Sequence, residues 1–246
     1  QDFNRPLRNG SGSFGFVTAT AKRLNVLERE FQIRPTVTRG AANSIENITN
    51  LFLSYRPEQI LLQPLYSVGR GDVLEPPTAY EFCDAYFTAL QLAAPRGVRV
   101  EYPGNCGFMT QFCSAYNGLG FSISADGNVS SCDCIYSETD DWGKEFIYGR
   151  IADAKLDIYE NRVDALRRIV PENISGCSDC FAFHCCKGHC LNNHLSSVSS
   201  FLPLSERTNI GCRINRLIFL FKLIYHAKGS LPNVDSADLA AFNIWR

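Results

Sequence analysis

Seven cysteines and one glycine, in fixed order between Cys113 and Cys212, constrain this chain more tightly than any other feature of its sequence. Cys113 is followed after thirteen residues by Gly127, and four residues later by Cys132. A dense set comes next, Cys177-x2-Cys180-x5-Cys186-x3-Cys190, and Cys212 closes the series. Thiolates are soft ligands, and several of them at short fixed spacings are what enclosing polynuclear iron–sulfur clusters requires. The chain is expected to hold two such clusters, so its fold must close the long gaps between Cys132 and Cys177 and between Cys190 and Cys212.

Two other readings of the eleven cysteines stand beside this one. Possible glycosylation sequons at Asn47, Asn128 and Asn173 favour a secreted disulfide framework. The odd cysteine count and the 246-residue length oppose it, because disulfide-dense scaffolds are small domains without an adequate core. A structural zinc domain is the second alternative. Only five residues separate Cys180 from Cys186, where zinc ribbons leave about a dozen or more between their knuckles.

With 45% hydrophobic residues, the chain can bury the core of one large or two modest domains. Its 24 basic and 25 acidic side chains give a net charge of −1, so nucleic acid is not an expected partner. The most apolar run, Leu217 to Tyr225, is interrupted by Lys222 and falls short of the roughly 20 residues that cross a bilayer, so no membrane partner is expected either. No signal peptide is read ahead of the first domain, although a chain that starts at Gln1 rather than Met could have lost one.

The first 95 residues alternate between helix and strand signals. Helical spacing runs over Phe14–Phe31 through Val17, Ala21, Leu24 and Leu27, and over Asn43–Tyr55 through Ile45, Ile48, Leu51 and Phe52. Ile33–Thr38 and Gln59–Tyr66 read as strands, and Pro77–Ala94 as a third helix. Such alternation implies right-handed βαβ units and a parallel sheet or an arc of a barrel. Beyond it, Phe121–Ser131 alternates as a hairpin around an Asp126-Gly127 turn and delivers Cys132 to the cysteine region. A helix is expected over Ala154–Ile169, a cysteine-dense loop over Gly176–Asn193, an exposed loop from Ser196 to Ser200, and a last helix from about Arg213 to His226.

The cysteine series resembles the SPASM domain, the C-terminal module of radical SAM enzymes that modify ribosomal peptides and proteins, anaerobic sulfatase-maturating enzymes among them. Asp2-Phe-Asn-Arg5-Pro, Gly10-Ser-Gly-Ser-Phe14, Thr36-Val-Thr38 and Gln63-Pro-Leu-Tyr-Ser-Val-Gly-Arg70 resemble the later part of the radical SAM barrel. The resemblance implies an α/β chain in which the later part of a radical SAM (β/α) partial barrel, residues 1–97, precedes a SPASM auxiliary-cluster domain, residues 98–230, and a C-terminal tail, residues 231–246. The Cys-x3-Cys-x2-Cys loop that binds the catalytic cluster of these enzymes has no counterpart in this sequence. We therefore expect the C-terminal portion of a longer protein, unable to cleave S-adenosylmethionine (SAM) by itself.

By resemblance, the proximal cluster takes Cys113, Cys132 and Cys190, with Cys106 as the candidate fourth ligand. The distal cluster takes Cys177, Cys180, Cys186 and Cys212. If Cys106 does not ligate, the proximal cluster has an open iron that could bind substrate. Asp133, directly after Cys132, is the candidate base that removes a proton after hydrogen abstraction from the substrate, its alternative being a solvated turn carboxylate. Arg5 and Arg70 are read as lying beside strand ends, where they could pair with the SAM carboxylate or a substrate acid. His184 and His189 are read as hydrogen-bond donors to cluster sulfur, and His189 stands where the family often has a small residue. Cys83, on a helical face between Phe82 and Phe87, is read as an ordinary buried cysteine, and Cys134 and Cys185, which neighbour ligands but lie outside the series, as bystanders.

The activity implied is radical-based modification of a ribosomal peptide or protein. Two auxiliary [4Fe-4S] clusters serve it, together with SAM and a third [4Fe-4S] cluster in the intact protein. The implied partners are the peptide or protein substrate and a reductant such as flavodoxin or ferredoxin. Oxygen-labile clusters point to a reducing, cytoplasmic setting. A non-catalytic iron–sulfur electron-transfer module is the competing class, and nothing in the sequence selects the substrate.

Overall fold

The computed structural model describes residues 1–66, 74–104, 113–115, 118–140, 142–174, 176–191 and 210–228. The chain divides into two units, Gln1–Pro103 and Gly104–Arg246. Arg70, Cys106, the 196–200 loop and the 231–246 tail lie outside the described residues.

The first unit is built on parallel strands. Strands β1 (Gln32–Ile33) and β2 (Thr36–Val37) flank Pro35, and β3 (Gln59–Leu61) and β4 (Gln63–Pro64) run beside them. β1 pairs with β3 and β2 with β4, both parallel, and β3 pairs in parallel with β5 (Arg99–Glu101), giving the order β1-β3-β5. Proline lacks an N–H, but the Pro35 carbonyl still accepts from the Gln63 N–H at 3.1 Å and carries the ladder across the break. Helices α2 (Arg39–Ala42) and α3 (Ile45–Ser54) connect β2 to β3, and α4 (Ala79–Ala93) connects β4 to β5. β5 lies beyond residue 97 yet belongs to this sheet.

Helix α4 starts where Thr78 and Glu81 form a capping box, each side chain taking the other's backbone N–H. Glu81 also accepts from Arg39 Nε at 3.2 Å, which ties α4 to the start of α2. Ala85, Ala89 and Ala93 line the buried face of α4 and let it sit close to its neighbours, while Phe82 meets the Tyr102 ring edge-on at 5.3 Å. Cys83 is buried there, as an ordinary core cysteine would be.

Helix α1 (Phe14–Val26) is shorter than the sequence predicts, because Glu28 turns into the left-handed region at φ 51°. None of its residues is fully buried: of the expected apolar stripe, Val17 and Leu27 are exposed and Ala21 and Leu24 half-buried.

The second unit carries an antiparallel sheet, β6 (Ser122–Ile123), β7 (Asn128–Ser130), β8 (Ile147–Ala152) and β9 (Lys155–Ile158), in that order. The helix expected from Ala154 is corrected here: residues 155–158 form β9, and α6 begins only at Glu160 and ends at Arg167. Asp153 and Ala154 both take positive φ, 50° and 59°, which is the tight two-residue turn that a twisted hairpin favours. Arg162 of α6 donates to the Ile147 carbonyl at 2.9 Å and to Glu138 at 2.6 Å, holding the helix to the sheet. Short helices α5 (Gly143–Phe146) and α7 (Phe183–Cys186) and the long α8 (Ile210–Lys228) complete the unit. Its core joins Val129, Phe146, Ile147, Leu166 and Leu191 to Cys132, with Cys113 packed against them.

Candidate metal centre

Cys132 follows β7 and is held by local hydrogen bonds. Its N–H donates to Ser130 Oγ at 3.1 Å, and Ser130 Oγ donates back to the Cys132 carbonyl at 2.9 Å. Cys113 reaches it through the shared core, and Leu191, in that same core, brings the adjacent Cys190 alongside. Burial pushes the Cys132 thiol up to about 12, the Cys134 N–H pulls against it, and the nearby sulfurs of Cys134, Cys190 and Cys113 add to the rise. Cys113, Cys132 and Cys190 therefore form one neighbourhood.

A second neighbourhood surrounds Cys186. The chain reaches it through successive turns, with Cys177 N–H donating to the Ile174 carbonyl at 2.9 Å, Cys180 N–H to the Cys177 carbonyl at 3.1 Å, and Cys186 N–H to the Ala182 carbonyl at 2.9 Å. The first turn of α8 supplies Cys212. Burial raises the Cys186 thiol strongly, and the sulfurs of Cys212, Cys177 and Cys180 raise it further, against a hydrogen bond from Asn215. Lys187, Gly188 and His189 then all take the left-handed region, at φ 46°, 81° and 55°, and turn the chain away so that Cys190 joins the other group. A left-handed His189 gives a physical reason for a small residue at that place, since only glycine is free of strain there.

None of the ten described cysteines is joined in a disulfide. Seven of them fall into two groups, and at Cys132 and Cys186 burial and the neighbouring sulfurs oppose ionisation. Several soft donors that cannot all ionise unaided are the donor set that iron would satisfy, with protons released on binding. The residues present fit the clusters expected from the sequence.

The remaining expected site residues lie as follows. Asp133 is exposed, and one of its carboxylate oxygens lies within 4.8 Å of the sulfurs of both Cys132 and Cys134. Cys134, read from sequence as a bystander, is thus part of the Cys132 neighbourhood, and the thiol of Cys113 also acts on it. A Cys-x-Cys spacing was the available signal. Arg5 lies exposed in the turn segment ahead of α1. His184 is exposed against the Phe183 ring, whereas His189 is buried. Asn215, which no sequence signal singles out, donates from Nδ2 to Cys186 Sγ at 3.1 Å. No helix of the described residues is long and apolar enough to cross a membrane.

Neither a family model nor a curated protein matches the chain. Solved structures do. Residues covering 99% of this chain superpose on 65% of polyhistidine-tagged anSMEcpe with AdoMet bound, an anaerobic sulfatase-maturing enzyme, at a TM-score of 0.59 and 17% identity. This chain has the fold of the matched part of that enzyme. Native anSMEcpe with AdoMet matches over 93% of this chain and 65% of the enzyme, at a TM-score of 0.60 and 18% identity. The native enzyme with AdoMet and the Cp18Cys peptide matches over 93% and 66%, at 0.59 and 17%. The chain spans about 65% of the length of these anSME structures.

Proposed function

We propose that this chain is the portion of a radical SAM peptide- or protein-modifying enzyme that carries the auxiliary clusters. Its first unit would be the later part of the partial barrel and its second the SPASM domain. One observation supports the reading: the assigned cysteines fall into two groups that follow the assignment, with Cys134 as an additional neighbour of Cys132. Cys113, Cys132 and Cys190 gather in one group, and Cys177, Cys180, Cys186 and Cys212 in the other. The likeness to anSMEcpe supports the fold beneath this assignment.

When bound, the clusters would supply one-electron acceptors that conduct the substrate electron outward. The protein's part is positional. The β7 hairpin and the Leu191 core fix the proximal thiols, the 177–186 turns with α8 fix the distal ones, and the left-handed 187–189 segment links them. Asp133, exposed beside Cys132, would take a proton from a bound substrate at its carboxylate. Arg5 and Arg70 are assigned to anionic groups of SAM or substrate. Cleavage of SAM would need residues that this sequence does not contain, so the chain alone is expected to be inactive in that step. A peptide or protein substrate, a flavodoxin or ferredoxin reductant and a reducing cytoplasmic compartment complete the proposal.

Iron and acid-labile sulfide per chain after anaerobic reconstitution test it. About eight irons with an absorption band that dithionite bleaches would support two four-iron clusters. About one zinc and no labile sulfide would replace the reading with a structural metal domain.

A further inference from the structure

Helix α8 turns Ile214, Leu217, Ile218 and Phe221 into the core, and Asn215 lies among them with 1% of its surface exposed. A carboxamide in such surroundings is costly if it is left without partners, so a polar residue here requires a reason. As a plain core amide it is poorly served, because its Oδ1 meets no donor among the described residues. Its Nδ2 has a single described partner, the sulfur of Cys186 at 3.1 Å.

The direction of that bond is informative. A free thiol can donate or accept, whereas a metal-bound thiolate has lost its proton and can only accept. The atom facing Cys186 is the donor that a ligated sulfur demands. Cys212 lies three residues earlier on the same helix, so residues at this spacing share a face and α8 presents a ligand and a hydrogen-bond donor together.

We infer that Asn215 is a positioning residue for the distal cluster, its side-chain N–H holding Cys186 Sγ and setting that cluster's reduction potential. The inference rests on the reading that Cys186 is a ligand. A hydrogen bond to ligand sulfur favours the reduced cluster, whose extra electron makes the sulfur a better acceptor, and so raises the potential. The distal centre thereby becomes a better electron acceptor than it would be without the bond, which favours transfer outward.

The test uses the full 246-residue chain, reconstituted anaerobically and titrated with EPR detection. Asn215→Leu is expected to keep wild-type iron and sulfide while one of two reduction steps moves to lower potential and the other stays. A tenfold fall in the reduced-to-oxidised ratio at fixed poise, about 59 mV for one electron, is the expected scale. Asn215→Asp, which keeps the shape but exchanges the donor for a charge, should move the same step at least as far. Full iron with both steps unchanged would overturn the inference. If Asn215→Leu takes up no iron, wild-type protein carrying 15N in its asparagine side chains decides. A nitrogen hyperfine coupling to one reduced cluster supports the bond, and its absence overturns it. Wild-type protein that takes up no iron sinks the cluster reading itself, which the iron assay shows before any titration.

Discussion

Gly127 lies against the Ile151 carbonyl so closely that a Cβ at position 127 would overlap the oxygen, while the Ile151 N–H donates back to the Gly127 carbonyl at 2.7 Å. Its φ of +83° adds a second demand for glycine. The glycine of the Cys-x13-Gly-x4-Cys series thus serves the sheet, and through the sheet the cysteine that follows it. Gly127→Ala is expected to destabilise the second unit by at least about 2 kcal/mol, from strain and overlap together. Iron retention should fall with it, because β7 leads directly into Cys132. Urea melts and iron analysis check this, and an unchanged midpoint would show that β7 and β8 can part there without cost.

The sulfurs of Cys132 and Cys134 lie within 4.8 Å of each other, and the proximal group has three assigned ligands with Cys106 proposed as the fourth. Two sulfurs therefore compete for one iron. If Cys106 ligates, Cys106→Ala should reduce iron and alter the EPR of the proximal cluster, and Cys134→Ala should leave both as they are. The opposite pattern would assign the place to Cys134. Insensitivity to both would mean an iron left open for substrate, which an added thiol or peptide would perturb spectroscopically.

Strong local signals made the first unit legible in sequence. The apolar spacing of Ile45, Ile48, Leu51 and Phe52 gave a helix, the Thr78/Glu81 cap marks where α4 begins, and the strand runs pair in parallel as expected. β9 reads as helix in sequence because Leu156, Tyr159, Val163 and Leu166 fit a helical face. The signal for the turn lay at Asp153 and Ala154, and no glycine marked it; only pairing with β8 decides the matter. The candidate site was legible as a set of cysteines, since spacing is a property of the chain. Asn215 and Cys134 were not, because their importance comes from proximity to sulfurs in the folded state, and in sequence they are one polar residue in an apolar helix and one extra cysteine.

Alkaline pH should weaken the metal-free protein. Burial raises the thiols of Cys132 and Cys186 above their unfolded values, and Cys83 in the first unit likewise. Groups raised in this way keep the fold's protons bound, so their contribution is complete below the unfolded thiol value of about 8.5 and is lost as pH rises above it. Tyr86 and Tyr148 are also raised by burial, but unfolded tyrosine titrates only at about 10, so the window from about 8.5 to 9.5 reports on the cysteines. The urea midpoint of the apo protein should fall across that window, and that of the iron-loaded protein should fall less, because its ligand thiols have already lost their protons and only non-ligand thiols such as Cys83 still titrate. An apo midpoint that rises with pH would contradict the burial of these thiols.

Cys186 and Cys190 are four positions apart, joined by three left-handed residues, and yet they lie in different sulfur groups. This makes the two centres a single folding problem. The 187–189 segment can hold its strained conformation only while both of its ends are anchored, at a cost of about 1–2 kcal/mol for each non-glycine residue. Removing the distal anchor should therefore release Cys190 as well. Cys186→Ala and Cys212→Ala are each expected to drop iron from about eight per chain to well below four, with loss of both EPR signals. Cys83→Ala, in the other unit, should keep its iron. Independent loss, with about four irons and one unaltered signal remaining, would mean that the proximal group assembles on the β7 hairpin and Cys113 without help from the loop.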